Sequence, residues 1–462
     1  MTQLVGTLAV ALLSLCVFVP SAAAAPAAGA NAAEAGPSGV GQQIAPAPHT
    51  SKKTPVITLG FDDGTADHRT AASILDDYDL EGTFFVQSGL VGVPGYLTQS
   101  DVKWIQARGN EIGSHTVNHI DLTSVSKAEA VREICMDRLN LYKMGAKVTS
   151  FAYPYAAYDA DAQAAVKECG FNSARILGGV KSQVGCDDCP PTESLRPTDP
   201  YAIRAPAQVE SDWTLDDLVA LVEQAKSAGG WMPITFHRVC LEAGCSPIGV
   251  SEQLLADFAA YLEEEEERNR IDVETFDDVV EGSRKSIRKS GWDIGQAVTS
   301  GNGVVNPGLE TWGEGAASAS CWELDTWGSA EVAASLSPTP IAGASSAQVD
   351  LAAYADGATA WMQKHDLGEC APAAEPGSAY DLSVQYSSDT YVQFVVHLRN
   401  SSGTWQYWDS SPWFDASESP TSATWRTQAV PAGFTGISYG LSIFSNGTLV
   451  TDEYSMVTAG SV

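Results

Sequence analysis

The sequence predicts a parallel α/β barrel followed by a separate antiparallel β-sandwich domain. From residue 55 to about residue 282, short apolar runs alternate with helical patterns seven or eight times, which is typical of a parallel sheet that closes or nearly closes into a barrel. After about residue 290 this alternation stops, and nine of the twelve tryptophans lie in 291–462. An open doubly wound sheet is the alternative for the first part, but no Gly-rich phosphate loop follows its first strand.

The first domain, predicted over 51–290, is divided into elements by its periodicity and its capping residues. A Ser-Lys-Ala-Glu capping box at 126–129 predicts the start of a helix, and Gly170 ends another. A Pro-, Gly- and Cys-rich excursion fills 178–200. We expect strands at 56–61, 83–87, 111–114, 148–153, 171–176, 231–236 and 271–274, and helices at 71–78, 100–109, 126–143, 159–169, 214–228 and 251–269.

The second domain is predicted over 303–462, after a linker at 291–302. Runs of alternating polarity at 381–386, 391–399 and 436–444, with turns at 401–403 and 445–447, indicate antiparallel strands. In 291–462, three Lys and Arg residues face eighteen Asp and Glu, so the composition changes together with the periodicity. We expect the first domain to fold by itself when the chain is cut near residue 290.

Charge and the N-terminal residues bear on the compartment. The 462 residues carry a formal net charge of −31, which argues against nucleic acid and anionic membrane surfaces as partners. An apolar run at 8–19 followed by small residues predicts a signal peptide at 1–25, although no Lys or Arg precedes the run, and 26–50 form a disordered Ala/Pro-rich leader. No stretch is long and apolar enough for a membrane span. We expect a secreted, extracellular monomer.

Eight cysteines follow the predicted signal peptide, an even number that favours disulfides in an oxidising compartment. Cys321 and Cys370 stand alone in the C-terminal part and are expected to pair. Cys135 and Cys169 lie on predicted neighbouring helices and either pair or are buried as thiols. Two interpretations, local or mutual disulfides and a four-thiolate zinc site, stay open for Cys186, Cys189, Cys240 and Cys245.

Reactive side chains follow the ends of the predicted strands. Asp62 and Asp63 follow the strand at 56–61, and two adjacent carboxylates repel each other unless a cation or a proton relieves them. His115 and His119 follow the strand at 111–114. If the chain turns helically there, both rings point the same way and can share one metal.

Tyr155 and His237 follow two further strands, at 148–153 and 231–236. The carboxyl ends of parallel strands meet at one face of a β/α barrel, so all six side chains are expected at that face. Taken alone, Asp-Asp-Gly indicates a turn, and a single histidine is more often structural than catalytic. The set as a whole indicates an active site.

The same residues resemble the polysaccharide deacetylases, the NodB-like carbohydrate esterases of family four. Phe-Asp-Asp-Gly at 61–64, the histidine pair at 115–119, Tyr-Pro-Tyr at 153–155 and Phe-His at 236–237 resemble that family in order and spacing, over about 54–282. The resemblance implies a distorted (β/α)7-type barrel, a divalent metal, and hydrolysis of acetyl groups from amino sugars or from xylan.

The resemblance also implies a role for each residue. Asp62 would be the general base, His237 the general acid, and the backbone N–H of Tyr155 would help to hold the oxyanion. The implied metal ligands are Asp63, His115 and His119. Two imidazoles and one carboxylate suit zinc, which is our expected metal, and cobalt or nickel fits the same ligands.

The chain departs from the family pattern at two places. Many members carry an arginine two residues before the proline of the third motif, where this chain has Ala152. The arginine that usually steadies the base is therefore missing or replaced, and Arg204 is a candidate for the replacement. The fourth motif keeps only its Asp-Trp pair, which makes Asp212 a candidate supporting residue and leaves open which acid orients His237.

The second domain resembles the jelly-roll carbohydrate-binding modules at 305–310 and 452–454. The resemblance implies a structural calcium ion at Glu310 and Asp452, and the alternative is an ordinary surface pair. Exposed aromatic rings stack on sugars, but aromatic residues on strands also build sandwich cores. Both interpretations stay open for Trp405, Tyr407, Trp408 and Trp413.

We therefore expect a secreted, metal-dependent deacetylase that acts on the N-acetyl groups of an N-acetylhexosamine polymer, such as chitin, poly-N-acetylglucosamine or peptidoglycan. One alternative is an acetylxylan esterase that uses the same site. Another is a non-catalytic secreted protein that binds glycan.

Overall fold

The computed structural model describes residues 54–184, 186–242, 244–312 and 318–460. The predicted signal peptide at 1–25 and the leader at 26–50 lie outside the described residues. The described residues form a parallel α/β domain and an antiparallel all-β domain, each with a main hydrophobic core of its own. The coarse classes predicted from the sequence, a parallel α/β domain followed by an antiparallel all-β domain, are thereby confirmed.

The first domain alternates strands and helices as its periodicity predicts. Its strands are β1 (Val56–Phe61), β2 (Thr83–Val86), β3 (Glu111–Ser114), β4 (Ser150–Ala152), β5 (Ser173–Gly179), β6 (Ile203–Ala205), β7 (Trp231–Phe236), β8 (Arg238–Cys240), β9 (Gly249–Ser251) and β10 (Asp272–Val273). Its helices are α1 (His68–Asp77), α2 (Gln99–Gln106), α3 (Lys127–Met144), α4 (Ala160–Glu168), α5 (Leu215–Ala228), α6 (Glu252–Glu267) and α7 (Phe276–Val280).

The sheet of this domain is parallel and curled. Its order is β10-β1-β2-β3-β4-β5-β6, with β7 beside β1, and β1 is buried along its whole length. Among the described residues no ladder joins β6 to β7, so a closed ring of paired strands is not formed. Glu193, from the Pro- and Cys-rich excursion, fills this gap: its backbone pairs with Trp231, and its carboxylate accepts from Arg204 N.

Helix α3 has an unusual composition for a buried helix. Ser126 caps it by accepting from Glu129 N, and Gly145 ends it in a left-handed conformation, φ 105°. The predicted capping box is only half formed, because the Glu129 carboxylate binds Arg132 instead of returning to the cap. Its buried charged residues are Glu129, Arg132, Glu133, Asp137 and Arg138.

These buried charges are explained by contacts on two sides of α3. On one side lies the parallel sheet, and on the other the second domain, where Asp366 accepts from Ser126 N and Ser126 Oγ at 2.6 and 2.7 Å. Arg132 donates to Leu367 O, and Asn140 Nδ2 donates to Ser402 O at 2.8 Å. Nothing in the sequence pattern predicted that the two domains would share this helix.

The second domain is a single antiparallel sheet folded over one core. Its order is β15-β14-β17-β12-β18-β13-β16, with β11 along β12; one end of β12 pairs with β17 and the other with β18. Side chains from both halves meet in one cluster, as a sandwich requires. The strands are β11 (Trp322–Leu336), β12 (Ala347–Gln363), β13 (Tyr380–Ser388), β14 (Val392–Asn400), β15 (Trp405–Ser410), β16 (Ser417–Arg426), β17 (Phe434–Ile443) and β18 (Gly447–Thr458).

The eight cysteines within the described ranges all form disulfides. Cys321 pairs with Cys370, as predicted, and of the two interpretations of Cys135 and Cys169 the paired one is found. The four cysteines of the surface loops pair locally, as Cys186–Cys189 and Cys240–Cys245. The four-thiolate zinc interpretation is therefore wrong.

None of the helices in the described ranges combines the length and apolar character needed to cross a bilayer.

Candidate metal and catalytic site

The ends of four strands of the curled sheet bring the predicted residues together. Asp62 and Asp63 follow β1, the histidine pair follows β3, Tyr155 follows β4, and His237 follows β7. The two rings of the histidine pair, His115 and His119, lie with their centroids 4.9 Å apart. The Tyr155 ring is 4.6 Å from that of His119, and His237 Nε2 is 4.0 Å from Asp62 Oδ2.

Asp63, His115 and His119 have the spacing of ligands to one ion. Asp63 Oδ1 lies 3.6 Å from His115 Nε2 and 3.3 Å from His119 Nε2, and one ligand atom of each residue lies within 4.8 Å of the others. Tetrahedral ligands about 2.0–2.1 Å from zinc are separated by roughly 3.3 Å. Within the described ranges these residues are the only such group of His, Cys and acidic side chains.

The Nδ1 atoms of both rings are occupied, which leaves Nε2 to face Asp63. His115 Nδ1 lies 2.8 Å from Ala152 O, and His119 Nδ1 lies 3.1 Å from the Tyr155 hydroxyl. Such outer partners fix the tautomer and the orientation of a ligating imidazole. The three side chains therefore fit a divalent metal of the zinc type.

The histidine pair reaches this arrangement without the helical turn that the sequence suggested. Residues 115–119 form a loop in which Thr116 and His119 have φ values of 68° and 55°, and Asp63 and Tyr155 have φ values of 83° and 57°. Positive φ at residues other than glycine costs on the order of 1–3 kcal/mol each and persists only where the surroundings enforce it. The strained backbone thus coincides with the candidate site.

Buried acids of α3 enforce this loop conformation. The Asp137 carboxylate accepts from Ser114 Oγ at 2.5 Å and from His115 N at 3.2 Å. The Glu133 carboxylate accepts from Val117 N and Asn118 N at 3.0 and 2.9 Å. Sequence reasoning missed both acids, and the available signal was their position on an otherwise buried helix.

Asp62 is paired with Arg175 of β5, not with the predicted Arg204. Arg175 Nη2 is 2.6 Å from Asp62 Oδ1, and both side chains are almost fully buried. Arg204 instead binds Glu193, with Arg204 Nη2 2.8 Å from Glu193 Oε1. Ala152 stands where the family pattern has its arginine, and Arg175 is its partner on the neighbouring strand, across the β4–β5 ladder. A lone arginine within an apolar strand was the signal that could have identified it.

The two adjacent carboxylates both have pKa values below the ordinary one. Burial alone would raise the pKa of Asp62, but Arg175, together with His115 and His237, holds it below the ordinary value. Burial also opposes ionisation of Asp63, yet hydrogen bonds from His115 and His119 hold its pKa well below the ordinary value. Asp62 thus has a cationic partner of its own, Arg175, whereas Asp63 contacts the two histidines.

His237 is buried beside Asp62. Burial lowers its pKa, against the opposing effect of Asp62 and Asp63. Within the described part of the chain, no group hydrogen-bonds its Nδ1.

Asp212, the candidate supporting acid, is exposed, while its neighbour Trp213 is buried. His68 Nε2 lies 2.6 Å from His237 O and so contacts the backbone of this residue instead of its ring.

The candidate aromatic residues of the second domain are in different environments. Tyr407 and Trp413 are 59% and 53% exposed, and Trp413 packs edge-on against Phe444. Trp408 packs against the core, and Trp405 stacks on His365 at 4.6 Å. Two members of the set are therefore exposed and two are packed, and the glycan-binding role of the exposed rings stays a prediction.

The two candidate calcium ligands are already engaged with one loop. Glu310 accepts from Ala344 N at 2.9 Å, and Asp452, which is fully buried, accepts from Ala342 N at 3.0 Å and from Ser346 Oγ at 2.6 Å. Burial, with a contribution from Glu310, raises the pKa of Asp452. The calcium ion stays a prediction.

Comparison with known proteins finds a family that is similar to part of the first domain. Residues 49–174 match the model of the family described as polysaccharide deacetylase. The protein YxkH of Bacillus subtilis (strain 168), a polysaccharide deacetylase by name, is 27% identical over 125 residues, which are 26% of this chain. The match spans 43% of that relative, less than half of its length.

Solved structures similar to this chain include three with related descriptions. The Xyl-CE4 domain of a multidomain xylanase from the hindgut metagenome of Trinervitermes trinervoides has a TM-score of 0.33 at 16% identity, covering 49% of this chain and 89% of that one. A family 4 carbohydrate esterase from Streptomyces lividans has the same score and identity, covering 47% and 91%. The peptidoglycan deacetylase PdaC from Bacillus subtilis has a TM-score of 0.31 at 20% identity, covering 49% and 91%.

The jelly-roll assignment of the second domain stays a prediction. For the first domain, the match to the family model covers the carboxylate pair, both histidines and Tyr155. Residues 49–174 of the first domain are thus similar to the polysaccharide deacetylase family.

Proposed function

We propose that this chain is a secreted, metal-dependent hydrolase that removes N-acetyl groups from an N-acetylhexosamine polymer, such as chitin, poly-N-acetylglucosamine or peptidoglycan. The observation that carries the proposal is the convergence of Asp63, His115 and His119 within 4.8 Å of one another, with Asp62 and His237 beside them. Hydrolysis of an amide needs an activated water, a stabilised oxyanion and a proton for the leaving amine.

Asp63, His115 and His119 would hold the metal, for which zinc is our choice and cobalt or nickel the alternatives. When bound, such an ion supplies Lewis acidity that makes water more acidic and polarises the acetyl carbonyl. The chain contributes fixed ligand geometry, because Ala152 O and the Tyr155 hydroxyl hold the two rings.

Asp62 is proposed as the general base. Its carboxylate is free to accept a proton because Asp63, and not Asp62, contacts the two histidines of the triad. Arg175 keeps it ionised at a pH where a buried acid would otherwise tend to be neutral. Arg175 is therefore a positioning residue that acts through Asp62.

His237 is proposed as the general acid that protonates the leaving nitrogen. Its Nε2 lies 4.0 Å from Asp62 Oδ2, so the base and the acid flank a common space. A lowered pKa makes the imidazolium form a strong proton donor. Tyr155 would assist the oxyanion through its backbone N–H, a role that comes from the family resemblance.

Secretion is supported by the four disulfides of the described residues, together with the predicted signal peptide. We propose that the second domain binds glycan through its exposed rings, Tyr407 and Trp413. Calcium at Glu310 and Asp452 would be structural.

Acetate release tests the proposal directly. The purified full chain would be incubated with chitooligosaccharide, acetylxylan and peptidoglycan, with and without a chelator. We expect release from the N-acetylated substrates, its loss with chelator and its recovery on adding zinc. Release from acetylxylan alone would indicate the esterase, and release from none of the three would indicate a glycan-binding protein without catalysis.

A further inference from the structure

A turn of the second domain lies directly against the loop that carries the two metal-binding histidines. This turn, residues 401–404, connects β14 to β15, and the ligand loop comprises residues 115–119. Asn118 Nδ2 donates to Gly403 O at 2.8 Å, and Trp405 N donates to Asn118 Oδ1 at 3.3 Å. The residue immediately before His119 is therefore bonded on both sides of its amide by the other domain.

The same amide also reaches α3. Asn118 Nδ2 donates to Glu133 Oε1 at 2.5 Å, and Asn118 N donates to Glu133 Oε2 at 2.9 Å. Asn118 thus joins three elements: the ligand loop, the buried helix and the turn of the second domain. No other side chain of the ligand loop has hydrogen bonds to the second domain among the described residues.

Buried charges keep the turn in place. Arg399, at the end of β14, is 2% exposed, and its Nη2 lies 3.9 Å from Glu129 Oε1 and 3.5 Å from Met136 Sδ, both on α3. Gly403 packs against the same methionine. Movement of the turn away from the first domain would leave buried charges without partners, which is strongly unfavourable. The second domain is thus docked, and it does not hang from a flexible tether.

We propose that the second domain is a structural part of the metal site, and that Asn118 is the positioning residue through which turn 401–404 fixes His115 and His119. This inference rests on the proposed function, since it assumes that the histidines bind a metal. The ligand loop is strained at Thr116 and His119, so it depends on its surroundings to keep its shape. Loss of a partner that orients a ligand typically lowers metal affinity about 10- to 100-fold.

The chain offers a matched control. Asn140 Nδ2 donates to Ser402 O at 2.8 Å, the carbonyl next to the one that Asn118 binds, but Asn140 lies on α3 and does not contact the ligand loop. Asn118→Ala and Asn140→Ala each remove a side-chain amide from the same turn. We expect a lower zinc affinity, by about tenfold or more, for Asn118→Ala only, with zinc affinity within about twofold of the unsubstituted protein for Asn140→Ala.

Zinc affinity would be measured on the full chain by competition with a chromogenic chelator, and ligand geometry by the visible spectrum of the cobalt-loaded protein. Neither measurement depends on turnover. A chain that binds neither zinc nor cobalt before any substitution would refute the metal site itself, and with it the proposed function. Equal affinities for the unsubstituted chain and Asn118→Ala would refute only the present inference.

A second variant tests the contribution of the turn to the ligand loop separately from that of Glu133. Gly403 has φ 96°, which strains any residue with a Cβ, and that Cβ would lie 3.3 Å from Arg399 Nη2 and 3.4 Å from Met136 Cε. Gly403→Ala therefore disturbs the turn while leaving the Asn118 and Glu133 side chains in place. We expect it to weaken zinc binding in the same direction, and the double variant with Asn118→Ala to bind no more weakly than Asn118→Ala alone. If Gly403→Ala leaves zinc affinity unchanged, Glu133 alone supports the loop and the inference is wrong. Equal weakening by Asn140→Ala would also contradict it.

Discussion

The candidate residues of the two domains differ in what holds them. In the first domain, Asp62 is bonded to an arginine from a distant strand, and His115 is fixed by a carbonyl of the neighbouring strand. In the second domain, Tyr407 and Trp413 project into solvent, and Asp452 is satisfied by its own neighbouring loop. Residue type is therefore a weak sign of function by itself. Convergence of side chains from separate elements, each held by a buried partner, is the stronger sign.

Removing a proposed metal ligand of the first domain should have the largest effect on metal binding and turnover. We expect His115→Ala and His119→Ala to lose bound metal and nearly all turnover, and Asp63→Asn to lose metal but regain part of its activity with excess zinc. Elemental analysis beside acetate release would check this. Asp452→Asn, an acid of the second domain, should keep the metal. If all four variants keep it, the site in the first domain does not bind metal.

Replacing the base should separate chemistry from metal binding. Asp62→Asn preserves the shape of the side chain but removes its proton acceptor, so turnover should fall by at least about a hundredfold while the metal stays bound. His237→Ala should behave in the same way. Loss of the ion in Asp62→Asn, together with its retention in Asp63→Asn, would show that the two carboxylates have exchanged roles.

Substitution of Arg175 and of Arg204 tests which of the two arginines lowers the pKa of Asp62. Arg175→Met removes the cation beside Asp62, so the pKa of that carboxyl should rise and the acidic limb of the kcat/KM profile should move to higher pH. We expect a loss of about tenfold or more in kcat/KM at the original optimum. Arg204→Met, which breaks only the contact with Glu193, should leave the profile in place. A shift in Arg204→Met alone would favour the arginine predicted from the sequence.

Buried acids should make the stability of the first domain depend on pH. Burial raises the pKa of Glu111 from 4.5 to about 7. Between those values the folded state holds a proton that the unfolded state releases, so the free energy of unfolding should decrease as the pH rises through this window. Asp62 and Asp63 have lowered pKa values, so their protonation affects the free energy of unfolding only at pH values below this window.

Thermal unfolding between pH 5 and 8, with chelator present so that metal binding does not contribute, would measure this slope. Glu111→Gln should make it shallower, because the variant has no proton to release at that position. A midpoint temperature that rises from pH 5 to pH 7 would contradict the assignment.

The smallest effects are expected in the second domain. Tyr407→Ala and Trp413→Ala should change turnover on soluble oligomers by less than about twofold, yet reduce the fraction of protein bound to insoluble chitin, because a second binding surface raises local concentration. Trp408→Ala should instead lower thermal stability, since that ring packs against the core. Unchanged binding to chitin in both exposed-ring variants would remove the glycan-binding role.

Local signals in the sequence predicted most of the fold and the reactive residues. The strand at 56–61 was predicted with its observed limits, and all six reactive side chains lie at one end of the sheet, as the carboxyl ends of parallel strands require. The shared metal site of His115 and His119 was predicted on the condition of a helical turn, yet the loop at 115–119 is not helical, because two acids of α3 hold its amides in another conformation. That information lies on a different element and cannot be obtained from the spacing of the histidines.

Contacts between distant parts of the chain were the main omission. The sequence indicated two domains by composition and periodicity, but the pairing of Ser126 with Asp366 and of Asn118 with Gly403 depends on how surfaces meet. The charged residues of α3 could have been noted as excess charge on a helix predicted to be buried. The expectation that the first domain folds by itself after a cut near residue 290 stays a prediction, and α3 would then have one uncovered face.

The placement of Arg175 has a consequence for how protein families are delimited. The family match ends at residue 174, one residue before the arginine that serves the proposed base, and the position within the match that the family pattern reserves for arginine holds Ala152. A comparison of aligned columns records this as a loss, although the cation reaches the same carboxylate from the adjacent strand. Two neighbouring strands are thus alternative positions from which an arginine can place its positive charge beside this carboxylate. Membership and activity should accordingly be judged by whether each required charge is present at the site, whichever column supplies it.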